Sequence, residues 1–83
     1  MPKHVTRAQI RAGRALVDWS VRELSARSGV HRNTITNFET GKSGGDQTTL
    51  SSLRAALEAA GVVFIPANGG GAGVRLKKEP NEG

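Results

Sequence analysis

The sequence predicts a mainly α domain of about four helices followed by a C-terminal β-hairpin, and three observations carry that expectation. First, Thr6 precedes Gln9 by three residues and Ser20 precedes Glu23 by three, each ahead of a segment with helical apolar spacing. At such a place the hydroxyl takes the backbone N–H of the third helical residue while the Glu or Gln returns to the cap, so each pair marks a helix start. Second, apolar residues recur at three- and four-residue spacing as far as Ala60, with glycines at 29, 41 and 61 where helices should stop. Third, the period changes after Gly61. Val62-Val63-Phe64-Ile65 is a β-type run ended by Pro66, and Gly73-Val74-Arg75-Leu76-Lys77 alternates apolar and basic.

Taken in order, residues 1–5, with Lys3 and His4, read as a flexible arm. The first helix is predicted over residues 7 to about 17, with Ile10, Gly13, Leu16 and Val17 as its inner stripe and Arg7, Arg11 and Arg14 left outside. Asp18-Trp19-Ser20 links it to the second helix, and the single tryptophan, directly before a cap, is assigned to the core. The second helix starts at Val21 and turns Leu24 and Ser25 inward, the small serine admitting a neighbouring helix. Gly29 stands where the chain turns sharply, a position that favours positive φ, and Val30 anchors the turn. A third helix starts at His31 or Arg32, buries Ile35 and Phe38, and closes at Glu39 with Gly41 as its C-terminal cap. A polar, Gly-rich loop follows. The fourth helix is predicted over residues 48–60, with Leu50, Leu53, Ala56, Leu57 and Ala60 at core spacing.

The hairpin spans residues 62–78, with Asn68-Gly69 as a turn signal between its strands. Two strands alone are marginally stable in water. The hairpin therefore either packs on the helices or pairs with the same strands of a second copy, which supports a dimer with the hairpin at or near its interface; the alternative is an intramolecular hairpin that covers the core. The organisation is an arm (1–5), a helical domain (6–61), a hairpin for packing or dimerisation (62–78) and a disordered tail (79–83).

Composition narrows the function. The formal net charge is +5, and all of it lies in residues 1–45, where eight lysines and arginines face three acids; residues 46–83 balance. A basic half of this kind suits a phosphate backbone. There is no cysteine, and His4 and His31 are isolated, so the chain predicts no disulfide, no metal and no cofactor. No paired acid and base speaks for an enzyme. Gly41-Lys42-Ser43 is not a phosphate-binding loop for nucleotides, because the required glycine five residues earlier is Thr36. The N-terminus has no apolar run, which predicts neither signal peptide nor membrane anchor, and a cytoplasmic, nucleoid-associated protein.

The third helix carries the chemistry. Burying Ile35 and Phe38 leaves Arg32, Asn33, Thr36 and Asn37 outward. Arginine pairs bidentately with guanine, asparagine with adenine, and threonine offers thymine a hydroxyl and a methyl. An idle exposed face would favour Glu, Lys and Ala, which are better helix formers than Asn and Thr.

The stretch WSVRELSARSGVHRNTITNFETGKS has the spacing of a helix-turn-helix. With the preceding RAQIRAGRALV and the following TLSSLRAALEAAGV, it resembles the lambda-repressor-like (Xre) family of phage repressors and Cro proteins over roughly residues 6–62. Trp19-Ser20, Leu24, Gly29-Val30, Thr34-Ile35, Phe38-Glu39 and Gly41-Lys42 all fall in register. The resemblance implies a transcriptional regulator that binds a palindromic double-stranded DNA operator as a homodimer, one recognition helix per major groove. Base readout is assigned to Arg32, Asn33, Thr34 and Asn37, with Thr36 beside them, and backbone anchoring to Arg22, Lys42, Ser43 and Arg11. Whether the protein represses or activates is open; RNA polymerase is a partner if it activates.

The family also implies an ion pair between Arg14 and Glu39. Two positions depart from it. Val21 stands where relatives carry a glutamine that contacts phosphate and braces the recognition helix, leaving that work to backbone N–H groups and Arg22. His31 replaces the usual Ser or Thr cap. It is a weaker cap, either a tolerated surface residue or one that faces DNA and makes binding depend on pH. The competing function is a protein-interaction module, of antitoxin or anti-activator type, on the same scaffold, because fold does not fix function.

Overall fold

Helices begin where the side chains can cap them. In the computed structural model, which describes residues 5–77, four helices precede two strands: α1 (Arg7–Leu16), α2 (Val21–Ser28), α3 (Arg32–Glu39), α4 (Gln47–Ala59), β1 (Val62–Ile65) and β2 (Gly73–Leu76). Most of the arm, with Lys3 and His4, and the tail at 79–83 lie outside the described residues, as does Lys78. Val5, assigned to the arm, is half-buried against the core.

Thr6 and Gln9 form the full reciprocal cap of α1, with the Thr6 N–H donating to Gln9 Oε1 at 2.9 Å and the Gln9 N–H to Thr6 Oγ1 at 3.0 Å. At α2 only half of the expected box forms. The Glu23 N–H donates to Ser20 Oγ at 3.0 Å, but the Glu23 carboxylate accepts from Arg27 Nε at 2.6 Å instead of returning to the cap. A cation one turn along the helix offers a charge-assisted bond, which outcompetes a neutral N–H.

The helix ends are equally local. α1 ends with the Asp18 N–H on Ala15 O and the Trp19 N–H on Arg14 O, with Asp18 itself left-handed at φ +59°. That is the paired-bond stop usually built on glycine. α3 ends the same way, with the Gly41 N–H on Phe38 O, the Lys42 N–H on Asn37 O and Gly41 at φ +85°. α2 stops at Gly29, whose φ is +78°. Across that turn Ser25 Oγ donates to Val30 O at 2.6 Å. The serine is thus more than a small residue admitting a neighbour: its hydroxyl fastens the two helices of the motif. α4 starts one residue earlier than predicted because Asp46 caps it, accepting from the Thr49 N–H at 2.7 Å.

The core is drawn from every helix and from β1: Ile10, Leu24, Ile35, Phe38, Leu53, Leu57, Val62 and Phe64. Five of these (Ile10, Leu24, Ile35, Leu53 and Leu57) are fully buried, each contributing about 1.5–3 kcal/mol by leaving water. Two predicted core positions are not in it. Leu16 is 39% exposed at the last turn of α1, and Ala60 is exposed as the residue that ends α4. Gln9, at the other end of α1, is buried, with its side chain bonded to the hairpin.

β1 and β2 pair antiparallel, Val62 with Leu76 and Ile65 with Gly73 at the two ends. The pair is packed within its own chain, β1 against α4 and both strands against α1. Gln9 Nε2 donates to Ile65 O at 3.2 Å and to Gly73 O at 3.0 Å, pinning both strands where the loop leaves them.

Candidate nucleic-acid interface

α3 is held from the inside and left open on the outside. Ile35 and Phe38 are buried, while Arg32, Asn33, Thr36 and Asn37 are exposed along one side. Thr34 is half-buried and flanks this face instead of standing on it. The helix has only eight residues, too few to hold its own shape in water, so its geometry depends on what grips its ends.

At the start, His31 is the cap. Its Nδ1 accepts the Asn33 N–H at 3.1 Å, so the imidazole does the work of the usual hydroxyl through a ring lone pair. His31 itself is exposed.

At the end, two arginines of α1 hold the same residue. Arg14 gives Glu39 two parallel bonds, Nε to Oε2 at 2.8 Å and Nη2 to Oε1 at 2.7 Å, and its Nη1 donates to Trp19 O at 3.0 Å. Glu39 is 4% exposed; hydrogen bonding to its carboxylate raises the Arg14 pKa above the ordinary arginine value. The pair implied by the family resemblance is present. Arg11 was grouped with the backbone anchors, but its Nη1 donates to Glu39 O at 2.6 Å. One of its five donors is therefore already committed to the end of α3.

The remaining residues assigned to the DNA backbone lie around this helix. Lys42 and Ser43 occupy the turn after α3 and are exposed. The Ser43 hydroxyl accepts the Gly45 N–H at 3.2 Å, which leaves its own O–H to donate outward. Arg22 is exposed in the first turn of α2, whose leading N–H groups have no helical acceptor. Val21 packs against the core, which accounts for an apolar residue where relatives carry a polar one. Trp19 is half-buried, with the Arg27 guanidinium 4.9 Å from the centre of its ring, so it is not free to stack on a base.

The sequence reading overlooked three polar residues that build the scaffold: Gln9 beyond its cap, Ser25 as a hydrogen-bond donor, and Asp46. Only Asp46 had a local signal, an acid three residues before Thr49 at the mouth of a helix. Among the described residues no cluster of His, Asp or Glu is placed to hold a metal, and no helix is long and apolar enough to cross a membrane.

Four helices of this order, with a short exposed helix following a left-handed glycine turn, define a DNA-binding helix-turn-helix protein. A family model described as a helix-turn-helix matches residues 10–61. The chain belongs to that family, in its lambda-repressor-like (Xre) form, whose members serve in transcription regulation. No curated protein matches it.

Proposed function

We propose that this protein is a sequence-specific transcriptional regulator that binds a palindromic operator as a homodimer inside the cell. Each copy lays α3 in a major groove, with half-sites about 34–36 Å apart. Arg32, Asn33 and Asn37 read base edges, Thr36 meets a thymine methyl or a base edge, and Thr34 contributes from the flank. Arg22, Lys42, Ser43 and the free donors of Arg11 hold the sugar-phosphate backbone. If the protein activates, RNA polymerase is its second partner.

One observation carries the reading: side chains suited to base edges share a face that the described residues leave uncovered, on a helix fastened at both ends. A helix so short and so firmly placed supports recognition at fixed geometry, where a good bidentate pair contributes about 1–3 kcal/mol of discrimination. The homodimer is supported by size, since one small module contacts only about 600–1,000 Å² of DNA-facing surface and a second copy doubles it.

Selection of bound sequences from a random duplex pool tests this directly. The expected outcome is one enriched, two-fold symmetric sequence with half-sites a helical turn apart. Within that site Arg32→Ala should relax preference at one base position, whereas Lys42→Ala should weaken all duplexes alike and lower the salt slope by about one unit. A pool that returns no enriched sequence would instead favour a protein-interaction module on this scaffold.

A further inference from the structure

Arg7, Arg11 and Arg14 stand at i, i+4 and i+7 on α1 and form one stripe along the C-terminal end of α3. Their partners differ in order. Arg14 is committed to the Glu39 carboxylate, Arg11 gives one bond to the Glu39 carbonyl, and Arg7 makes no hydrogen bond or ion pair with another described residue. Its guanidinium nevertheless has a definite place. It lies on the turn that ends α3, where a methyl added to Gly41 would meet its Cζ at 3.5 Å and its Nε at 3.6 Å.

A second feature points the same way. Arg7 is the first residue of α1, and the first turn contains no acid. A cation there opposes the helix dipole and weakens the free fold. Among the described residues, Glu39 pairs with Arg14, Glu23 with Arg27 and Glu58 with Arg54, Asp46 caps α4, and Asp18 lies beyond the far end of α1 from Arg7. Arg7 therefore has five donors in a rigid fork, laid on the backbone turn at Gly41 from which the exposed Lys42 and Ser43 follow directly in the chain.

We propose that Arg7 is a DNA phosphate ligand: with Lys42 and Ser43 it grips one backbone phosphate at the groove edge where α3 ends. The inference rests on the DNA-binding reading and adds to it a residue from α1. Because the guanidinium is already seated on the Gly41 turn, little side-chain freedom is lost when a phosphate arrives.

The test compares the full chain with Arg7→Gln and Arg7→Lys by affinity across a salt series, on a selected operator duplex and on a random duplex, alongside thermal melting. Arg7→Gln should reduce the slope of log affinity against log salt by about 0.9 on both duplexes. The accompanying loss should be roughly five- to tenfold near 0.1 M salt, with base preference unchanged. Its melting temperature should equal or exceed that of the parent, because the unfavourable charge is gone. Arg7→Lys should keep the slope. Replacing single phosphates by neutral methylphosphonates should reveal one position that weakens the parent but not Arg7→Gln. An unchanged slope in Arg7→Gln would overturn the proposal, and so would a lower slope accompanied by a lower melting temperature, which would make Arg7 a structural residue. If the parent itself bound neither duplex, the DNA-binding reading would fall and this one with it.

Discussion

Glu39 is the residue that fixes the end of α3. Its carboxylate takes two bonds from Arg14 and its carbonyl one from Arg11, so these two arginines of α1 meet α3 at a single residue. Glu39→Gln keeps the shape but removes the charge, leaving Arg14 largely buried without its anion; its side chain is 20% exposed. Breaking such a pair from one side costs about 3–5 kcal/mol when both partners are dry. Partial exposure of Arg14 places the expected loss at about 2–4 kcal/mol, measurable by urea denaturation. Asp18 runs the other way. It holds a left-handed φ of +59° at the end of α1, a conformation that strains an L-residue, and its negative charge faces the negative end of the helix dipole. Asp18→Gly relieves both but frees the unfolded chain, so the net expectation is a gain of about 0.5–1 kcal/mol, read from the same urea curves. The Arg14–Glu39 pair was available to the sequence only through family resemblance, while Arg11's bond and the backbone of Asp18 were not available at all. Each depends on how α1 crosses α3, or on a turn whose conformation no side chain announces.

At the scale of the element, each helix start has its own chemistry, and that chemistry sets how the element responds to pH. Asp46 caps α4 and is fully exposed, and the hydrogen bond from the Thr49 backbone N–H holds its pKa below the ordinary carboxylate value. A group depressed on folding stabilises the fold above its unfolded pKa and loses that contribution as pH falls through the folded one. The cap of α4 should therefore weaken in acid below the ordinary carboxylate range and be complete at neutral pH. Asp46→Asn keeps a side-chain oxygen for the Thr49 N–H without a titrating group. Its urea midpoint should match the parent near neutral pH and fall less steeply in acid; parallel acid limbs for the two proteins would refute the assignment. The caps at Thr6 and Ser20 were read from the sequence because cap and helix lie within four residues of each other; Asp46 carried the same local signal and was missed. The capping box of α2 misled for the same reason: Glu23 had two local partners, and Arg27 took it.

For the whole molecule, the hairpin decides whether one chain closes its own core. Val62 and Phe64 are buried among the helices, and the Gln9 carboxamide bonds one carbonyl of each strand across 56 and 64 residues of sequence. Gln9→Ala withdraws that donor and opens space beneath the strands. The expected loss is about 1–3 kcal/mol, with amide hydrogen exchange rising first in β1 and β2 and last in α4. Uniform acceleration across all helices would show that the hairpin has no separate stability to lose. By itself the sequence determined the helix starts, the glycine turns, the change from helical to strand period and the polar outer face of α3. These are properties of neighbouring residues, set by capping, φ preference and apolar spacing. Only the tertiary structure decided that Gln9 would be buried and Leu16 left half in water, that Arg11 would hold the end of α3, and that Arg7 would lie on the turn beyond it. Those outcomes are pairings between residues far apart in the chain, fixed by the angles at which α1 meets α3 and the hairpin.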